Sequence, residues 1–95
     1  MTCPIEYTAV KSGMISLLNW LAKYYKNKFF RFNCVSPGGV LDQQSTSFLQ
    51  KDLEYCTSKG MLDPTDIVGT ILFLLSEQSK YINGQNLIVD DGWLI

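Results

Sequence analysis

Histidine is absent from all 95 residues, which removes the usual acid–base side chain and the commonest metal ligand from this chain. Cysteine is scarce: Cys3, Cys34 and Cys56 are the only three. An odd number at wide spacing, with no C-x-x-C pair, indicates neither a disulfide framework nor a zinc site. Reduced thiols in a cytoplasmic protein are the expectation. No sign of charge dominates, since eight basic residues face nine acidic ones for a net charge of −1. No basic stripe points to nucleic acid and no acidic tail to a basic partner. Long hydrophobic runs are missing too, so nothing is expected to span a bilayer, and the N-terminus lacks a basic-then-apolar leader pattern. What the chain does have is 46 % apolar residues. That is enough to build a core for one small domain or for part of a larger one.

The most informative stretch is Tyr7-Thr8-Ala9-Val10-Lys11. It opens a run in which Val10, Met14, Leu17, Leu18 and Leu21 recur in steps of three and four. This spacing predicts a helix over residues 7–26 with one buried stripe, broken at Asn27-Lys28. Positions four apart share a helix face, so Tyr7 and Lys11 present a phenol beside an ammonium. A positive charge next to a phenol favours its ionised form, which suits a tyrosine to exchange a proton with a substrate. The same spacing also suits a tyrosine at a core edge beside a solvated lysine. Trp20 and Tyr24 lie to one side of the stripe, placed to cover another subunit or another part of this chain.

Residues 29–35 are rich in β-formers and too few for a helix, so they read as a strand buried on both faces. Ser36-Pro37-Gly38-Gly39 should stop it, with paired glycines that permit close backbone approach to a ligand. In open parallel sheets, ligands bind beyond the carboxyl ends of strands, where this turn would lie. Residues 40–60 are polar, with a short helix at 45–56, and a connection of that length is often a lid or binding loop. Asp63-Pro64-Thr65-Asp66 then reads as a helix start. That helix should continue to Glu77 with a broad apolar face, buried on more than one side, and with Gly69 allowing close packing. Residues 86–90 form a second strand, ended by Asp91-Gly92. Strand, crossover and strand make a parallel βαβ unit.

In this order the motifs resemble the C-terminal part of a short-chain dehydrogenase/reductase. Tyr7-x-x-x-Lys11 with Ser12-Gly13 is similar to the family's catalytic motif, and Asn33-Cys34-Val35-Ser36-Pro37-Gly38 to the strand and turn beside the nicotinamide. Asp63-Pro64-x-Asp66-Ile67-Val68 resembles the penultimate helix, and Ile82-Asn83-Gly84-Gln85-x-Leu87-x-Val89-Asp90-Asp91-Gly92 the closing strand. Pro37-Gly38-Gly39-Val40-Leu41-Asp42 and Val89-Asp90-Asp91-Gly92-Trp93 look like the branch associated with flagellin modification and nonulosonic-acid sugar biosynthesis.

The resemblance implies an α/β fold, the C-terminal portion of a Rossmann-type doubly wound parallel sheet. Residues 1–95 would be part of an NAD(P)-binding domain without its N-terminal dinucleotide-binding half. No glycine-rich turn precedes Tyr7, and residues 1–6 hold neither the family's catalytic serine nor its structural asparagine. Tyr7 would be the general acid/base, and Lys11 would hold the nicotinamide ribose. The backbone around Pro37, Gly38 and Val40 would face the carboxamide, and Gly39 the substrate. The family often has threonine two residues after Val40. Asp42 stands there instead, a departure at that contact to the cofactor.

The implied activity is hydride transfer between NAD or NADP and a carbonyl or hydroxyl on a small molecule such as a sugar or nucleotide sugar. A homo-oligomer, dimer or tetramer, is implied as well. Binding of the cofactor by this chain alone is not expected. The alternative is a catalytically inactive remnant or oligomerisation module of such an enzyme. A nucleotide-sugar epimerase or dehydratase shares Tyr-x-x-x-Lys but fits the Pro-Gly turn and the closing strand less well.

Overall fold

The computed structural model describes residues 4–26 and 29–93. Its first element, α1, spans Ile5–Tyr24, with Glu6 in the first turn and Lys23 in the last, each complementing the helix dipole. The helix stops two residues short of Lys26, and the expected break at Asn27-Lys28 lies outside the described residues. Only Leu18 of α1 is buried. Val10 is 61 % exposed, and Met14 and Leu17 are exposed beside it. The anticipated stripe is therefore present as a pattern, but the described residues do not cover it.

The first strand, β1, is Cys34–Pro37. It starts later than the β-forming composition predicts and includes the proline expected to end it. The reason lies in what residues 31–33 bond to. The Phe32 N–H donates to Asn83 Oδ1 at 2.9 Å, and the Phe32 carbonyl accepts from Gly84 N–H at 2.7 Å. The Asn33 amide donates to the Ile82 carbonyl at 2.8 Å, while its Oδ1 accepts from Gln85 N–H at 3.0 Å. These contacts tie the apolar approach to the 82–85 turn, and the regular ladder begins only at Cys34. Pro37 is the last strand residue, where its missing N–H is tolerated. The neighbouring Gly38 N–H makes the next bond, to the Val89 carbonyl at 2.9 Å.

The second strand, β2, is Asn86–Val89. It pairs with β1 in parallel, from Cys34 opposite Asn86 to Pro37 opposite Val89. Both strands are half-buried at most positions, and Pro37 is exposed. The strand expected to be buried on both faces is thus covered only in part.

Between the strands lie two helices. The lid-region helix α2 is Thr46–Tyr55, started by Ser45, whose Oγ accepts from Phe48 N–H at 3.3 Å. The crossover helix α3 is Thr65–Leu74 and packs against β1. Its start is fixed by Asp66, whose Oδ2 accepts from the Asp63 N–H at 2.8 Å. It ends before Glu77, and a 3-10 turn follows at Glu77–Ser79. Arg31 closes this end by donating to the carbonyls of Leu74 at 3.1 Å and Ser79 at 2.9 Å. No residue of α3 is buried, and Leu72 is 61 % exposed. The expected double-sided burial is therefore not met among the described residues. A side chain at Gly69 would meet nothing within 4 Å, so no close packing explains that glycine.

Among the described residues the buried side chains are few: Leu18, Met61, Leu62 and the fully buried Ser79. An isolated parallel bridge between Val40 and Leu62 closes the excursion that carries α2.

Candidate active site

Tyr7 lies in the first turn of α1, and Lys11 follows one turn on, with its Nζ 5.5 Å from the Tyr7 ring centre. Tyr7 is 56 % exposed. Tyr7 also borders two adjoining clefts. One, of about 470 Å³, includes Gly39, Phe48, Asp52, Asp90 and Trp93 in its walls; the other, of about 350 Å³, includes Lys11, Met14 and Cys34. Both clefts share Ser36, Pro37 and Gly38 with Tyr7. The parallel pairing of β1 with β2 produces this meeting, because it delivers the Pro-Gly-Gly turn at the carboxyl end of the sheet.

The turn itself depends on missing side chains. A Cβ on Gly38 would stand 2.9 Å from the Cα and Cβ of Asp90, so only glycine lets this turn pass so close to the end of β2. A Cβ on Gly39 would fall on the Met61 sulfur and lie 3.3 Å from Asp52 Oδ1. Ser36 Oγ donates to Asn86 Oδ1 at 2.6 Å and fixes the two strands side chain to side chain.

Val40 borders neither cleft. It sits in the bridge to Leu62, where the Leu62 N–H donates to the Gly39 carbonyl at 2.7 Å and the Leu41 N–H to the Leu62 carbonyl at 2.8 Å. The Val40 N–H takes no part in those two bonds, and its carbonyl accepts from the Gln44 amide at 2.9 Å. Asp42 is exposed, and its N–H donates to Gln44 Oε1 at 2.6 Å.

Sequence reasoning did not single out Asp52, Asp90 or Trp93 as cleft residues. For Asp52 a signal was available, since Phe48 and Asp52 are four apart on α2 and so share a face. Its Oδ2 accepts from the Cys56 thiol at 3.5 Å. Burial first, and then this bond to Asp52, push the Cys56 thiol up to about 11. Trp93 packs against Tyr55 with ring centres 5.9 Å apart.

Asp91, read from sequence only as a strand end, clamps the segment after α2. Its Oδ2 accepts from the N–H groups of Ser58, Lys59 and Gly60 at 3.0, 2.6 and 2.8 Å. Its Oδ1 accepts from the Ser58 hydroxyl at 2.6 Å and the Thr57 hydroxyl at 3.0 Å. The Ser58 hydroxyl and the Gly60 N–H lead in holding its carboxyl well below the usual carboxylate range. Among the described residues no group of three or more His, Cys, Asp or Glu is placed to hold a metal ion. No helix among them is long and apolar enough to cross a membrane.

A tyrosine and a lysine on one helix face, set against a Pro-Gly turn at the carboxyl end of a parallel strand, define a Rossmann-type α/β site. Residues 3–94 match the family model described as enoyl-(acyl carrier protein) reductase, and the chain belongs to the short-chain dehydrogenase/reductase family. The flagellin-modification branch, towards which residues 37–42 and 89–93 pointed, is represented among its relatives. The chain is 50 % identical over 93 residues to post-translational flagellin modification protein A of Campylobacter coli, covering 98 % of this chain and 36 % of that protein. It is 35 % identical over 94 residues to the 7alpha-hydroxysteroid dehydrogenase of Bacteroides fragilis, covering 94 % of this chain and 36 % of that one. Among solved structures, a short chain dehydrogenase from Leptospira borgpetersenii with bound NAD+ superposes with a TM-score of 0.90 at 39 % identity, covering 94 % of this chain and 35 % of that one. The chain thus spans about a third of the length of these relatives.

Proposed function

We propose that this segment is the C-terminal, substrate-facing part of an NAD- or NADP-dependent oxidoreductase, with Tyr7 as its general acid/base. The observation that carries this reading is the meeting of Tyr7 and Lys11 with the Pro37-Gly38 turn around two adjoining clefts. The clefts are open and flanked by a bare glycine backbone, which fits a flat nicotinamide ring. Support for the cofactor comes from the Leptospira relative, solved with NAD+, and from a 4-hydroxyisoleucine dehydrogenase complexed with NADH, 27 % identical with a TM-score of 0.88. A nicotinamide held there would supply hydride-transfer chemistry. Lys11, in the smaller cleft, would hold the ribose, and the backbone at Pro37, Gly38 and Val40 the carboxamide. Tyr7 would hold or release the proton at its phenol oxygen. Gly39, in the larger cleft, would face the substrate.

The substrate on this reading is a small carbonyl or hydroxyl compound, and the likeness to a flagellin modification protein supports a sugar or nucleotide sugar. The unpaired thiols Cys34 and Cys56 support a cytoplasmic setting. The exposed apolar faces of α1 and α3 support assembly into a homo-oligomer. Those same faces favour the second reading, an oligomerisation module without activity of its own.

Replacing the proton donor decides between the two. In the full-length protein carrying this segment, Tyr7→Phe keeps the ring and should reduce kcat at least about a hundredfold. Lys11→Met should raise the KM for the nucleotide and lower kcat together. Near-normal turnover by Tyr7→Phe would make the tyrosine a packing residue.

A further inference from the structure

Asp52 stands in the wall of the larger cleft with Tyr7, on the same face of α2 as Phe48. One hydrogen bond and a close backbone approach fix its carboxylate. Oδ2 receives the Cys56 thiol at 3.5 Å, and Oδ1 lies against Gly39, 3.3 Å from where a Cβ there would stand. The segment after α2 is pinned by the Asp91 clamp, so Asp52 is carried on an anchored helix end. Asp90 is the cleft's second carboxylate, with its Oδ1 accepting from the Gly92 N–H at 2.9 Å. Among the described residues no lysine or arginine borders this cleft, whereas Lys11 borders the smaller one. Phe48 and Trp93 give it an apolar wall. A carboxylate or phosphate entering here would meet like charge, while a donor group would meet a fixed acceptor.

We propose that Asp52 determines the specificity of the Tyr7 cleft, its carboxylate receiving a hydroxyl or ammonium donor on the substrate and disfavouring an anion at that position. The proposal rests on the reading of this cleft as the substrate site of a Tyr7-dependent oxidoreductase. It separates the two clefts by charge: the cationic one takes the nucleotide, and the acidic one takes a substrate rich in hydrogen-bond donors.

The test uses the full-length protein and four ketones of one carbon skeleton: unsubstituted, polyhydroxylated, amino-substituted and carboxylated. Hydrogen bonds to a charged group suggest that Asp52→Ala lowers kcat/KM for the polyhydroxylated ketone relative to the unsubstituted one by roughly ten- to a hundredfold. The change should sit in KM, and the carboxylated ketone should improve. Asp52→Asn keeps the shape and one acceptor oxygen, so it should cost the amino-substituted ketone more than the polyhydroxylated one. A larger loss for the amino compound in both variants assigns the donor as an ammonium, and the reverse assigns a hydroxyl. An equal change for all four ketones, or none, overturns the proposal. Binding of the polyhydroxylated alcohol product, read through the fluorescence of Trp93, keeps the two readings apart. Turnover surviving Tyr7→Phe sinks the proton-transfer role, whereas product binding undiminished by either Asp52 variant sinks this one.

Discussion

Arg31 offers the clearest energetic test, because one guanidinium closes both the end of α3 and the turn beyond it. Its Nη1 donates to the Ser79 carbonyl at 2.9 Å and the Ser79 hydroxyl at 3.0 Å, and its Nη2 to the Leu74 carbonyl at 3.1 Å. Arg31→Met keeps the stem and removes every donor. The Ser79 carbonyl belongs to a fully buried residue but keeps the Ile82 N–H at 2.9 Å, so what it loses is one charge-assisted hydrogen bond, about 1.5 kcal/mol. The Leu74 carbonyl suffers less, since the Ser79 hydroxyl still donates to it at 3.0 Å. Losing the cation from the negative end of α3 adds about 0.5 kcal/mol. The sum is about 2 kcal/mol. At about 1.5 kcal/mol per molar urea, the unfolding midpoint should fall by about 1.3 M. Arg31→Lys should fall between the two, because an ammonium cannot span both carbonyls as the fork does. Amide exchange at Ser79 and Ile82, whose N–H groups donate to Ser76 and Ser79 carbonyls at 3.2 and 2.9 Å, should quicken first. A midpoint within about 0.5 M of the parent in Arg31→Met, with those amides still protected, would refute the reasoning.

Two further predictions turn on protonation. Asp91 is held below the usual carboxylate range in the folded chain, so its contribution is complete above about pH 4 and fades as pH falls below that. Amide protection at Ser58, Lys59 and Gly60 should therefore be lost on acidification before that of the helices. In Asp91→Asn the protection should be weak at all pH values, and protection in the parent that is flat down to pH 2 would count against the clamp. Cys56, with its thiol pushed up to about 11, should resist iodoacetamide at pH 8 and gain reactivity only in strong alkali. Asp52→Asn removes a charge that opposes the thiolate and should speed the reaction; an unchanged rate would show that burial alone sets it.

The order of elements and the parallel pairing were legible because periodicity, the Pro-Gly turn and the β-rich runs are local signals. Tyr7, Lys11, Pro37, Gly38 and Gly39 could be named from spacing and resemblance, and the fold brings them to one place. The start of β1 was not legible. Residues 29–33 have strand composition, but side chains of Asn83 and Asn33, far apart in sequence, divert them into the 82–85 turn. Burial of α1 and α3 was misjudged for a related reason: an apolar stripe states what a helix needs, not what lies over it. The roles of Arg31, Asp52 and Asp91 depend on partners more than thirty positions away or on an unmarked helix face. Composition carries no trace of such pairings.

The bridge from Val40 to Leu62 closes a ring of backbone. Its two hydrogen bonds join the chain on either side of α2, and the Asp91 clamp grips the same excursion a second time near its exit. Beyond those two closures, the excursion meets the end of the sheet through Tyr55 on Trp93 and the Cys56 thiol on the Asp90 carbonyl. Lengthening a closed excursion costs little, about 0.6 kcal/mol for each doubling. Lengthening residues 41–51 should therefore leave the sheet, Tyr7 and Lys11 in place, whereas Asp52, Tyr55 and Cys56 carry the contacts to Gly39, Trp93 and Asp90. If Asp52 sets the specificity of the Tyr7 cleft as proposed, a change of substrate calls for a new α2, not a new fold.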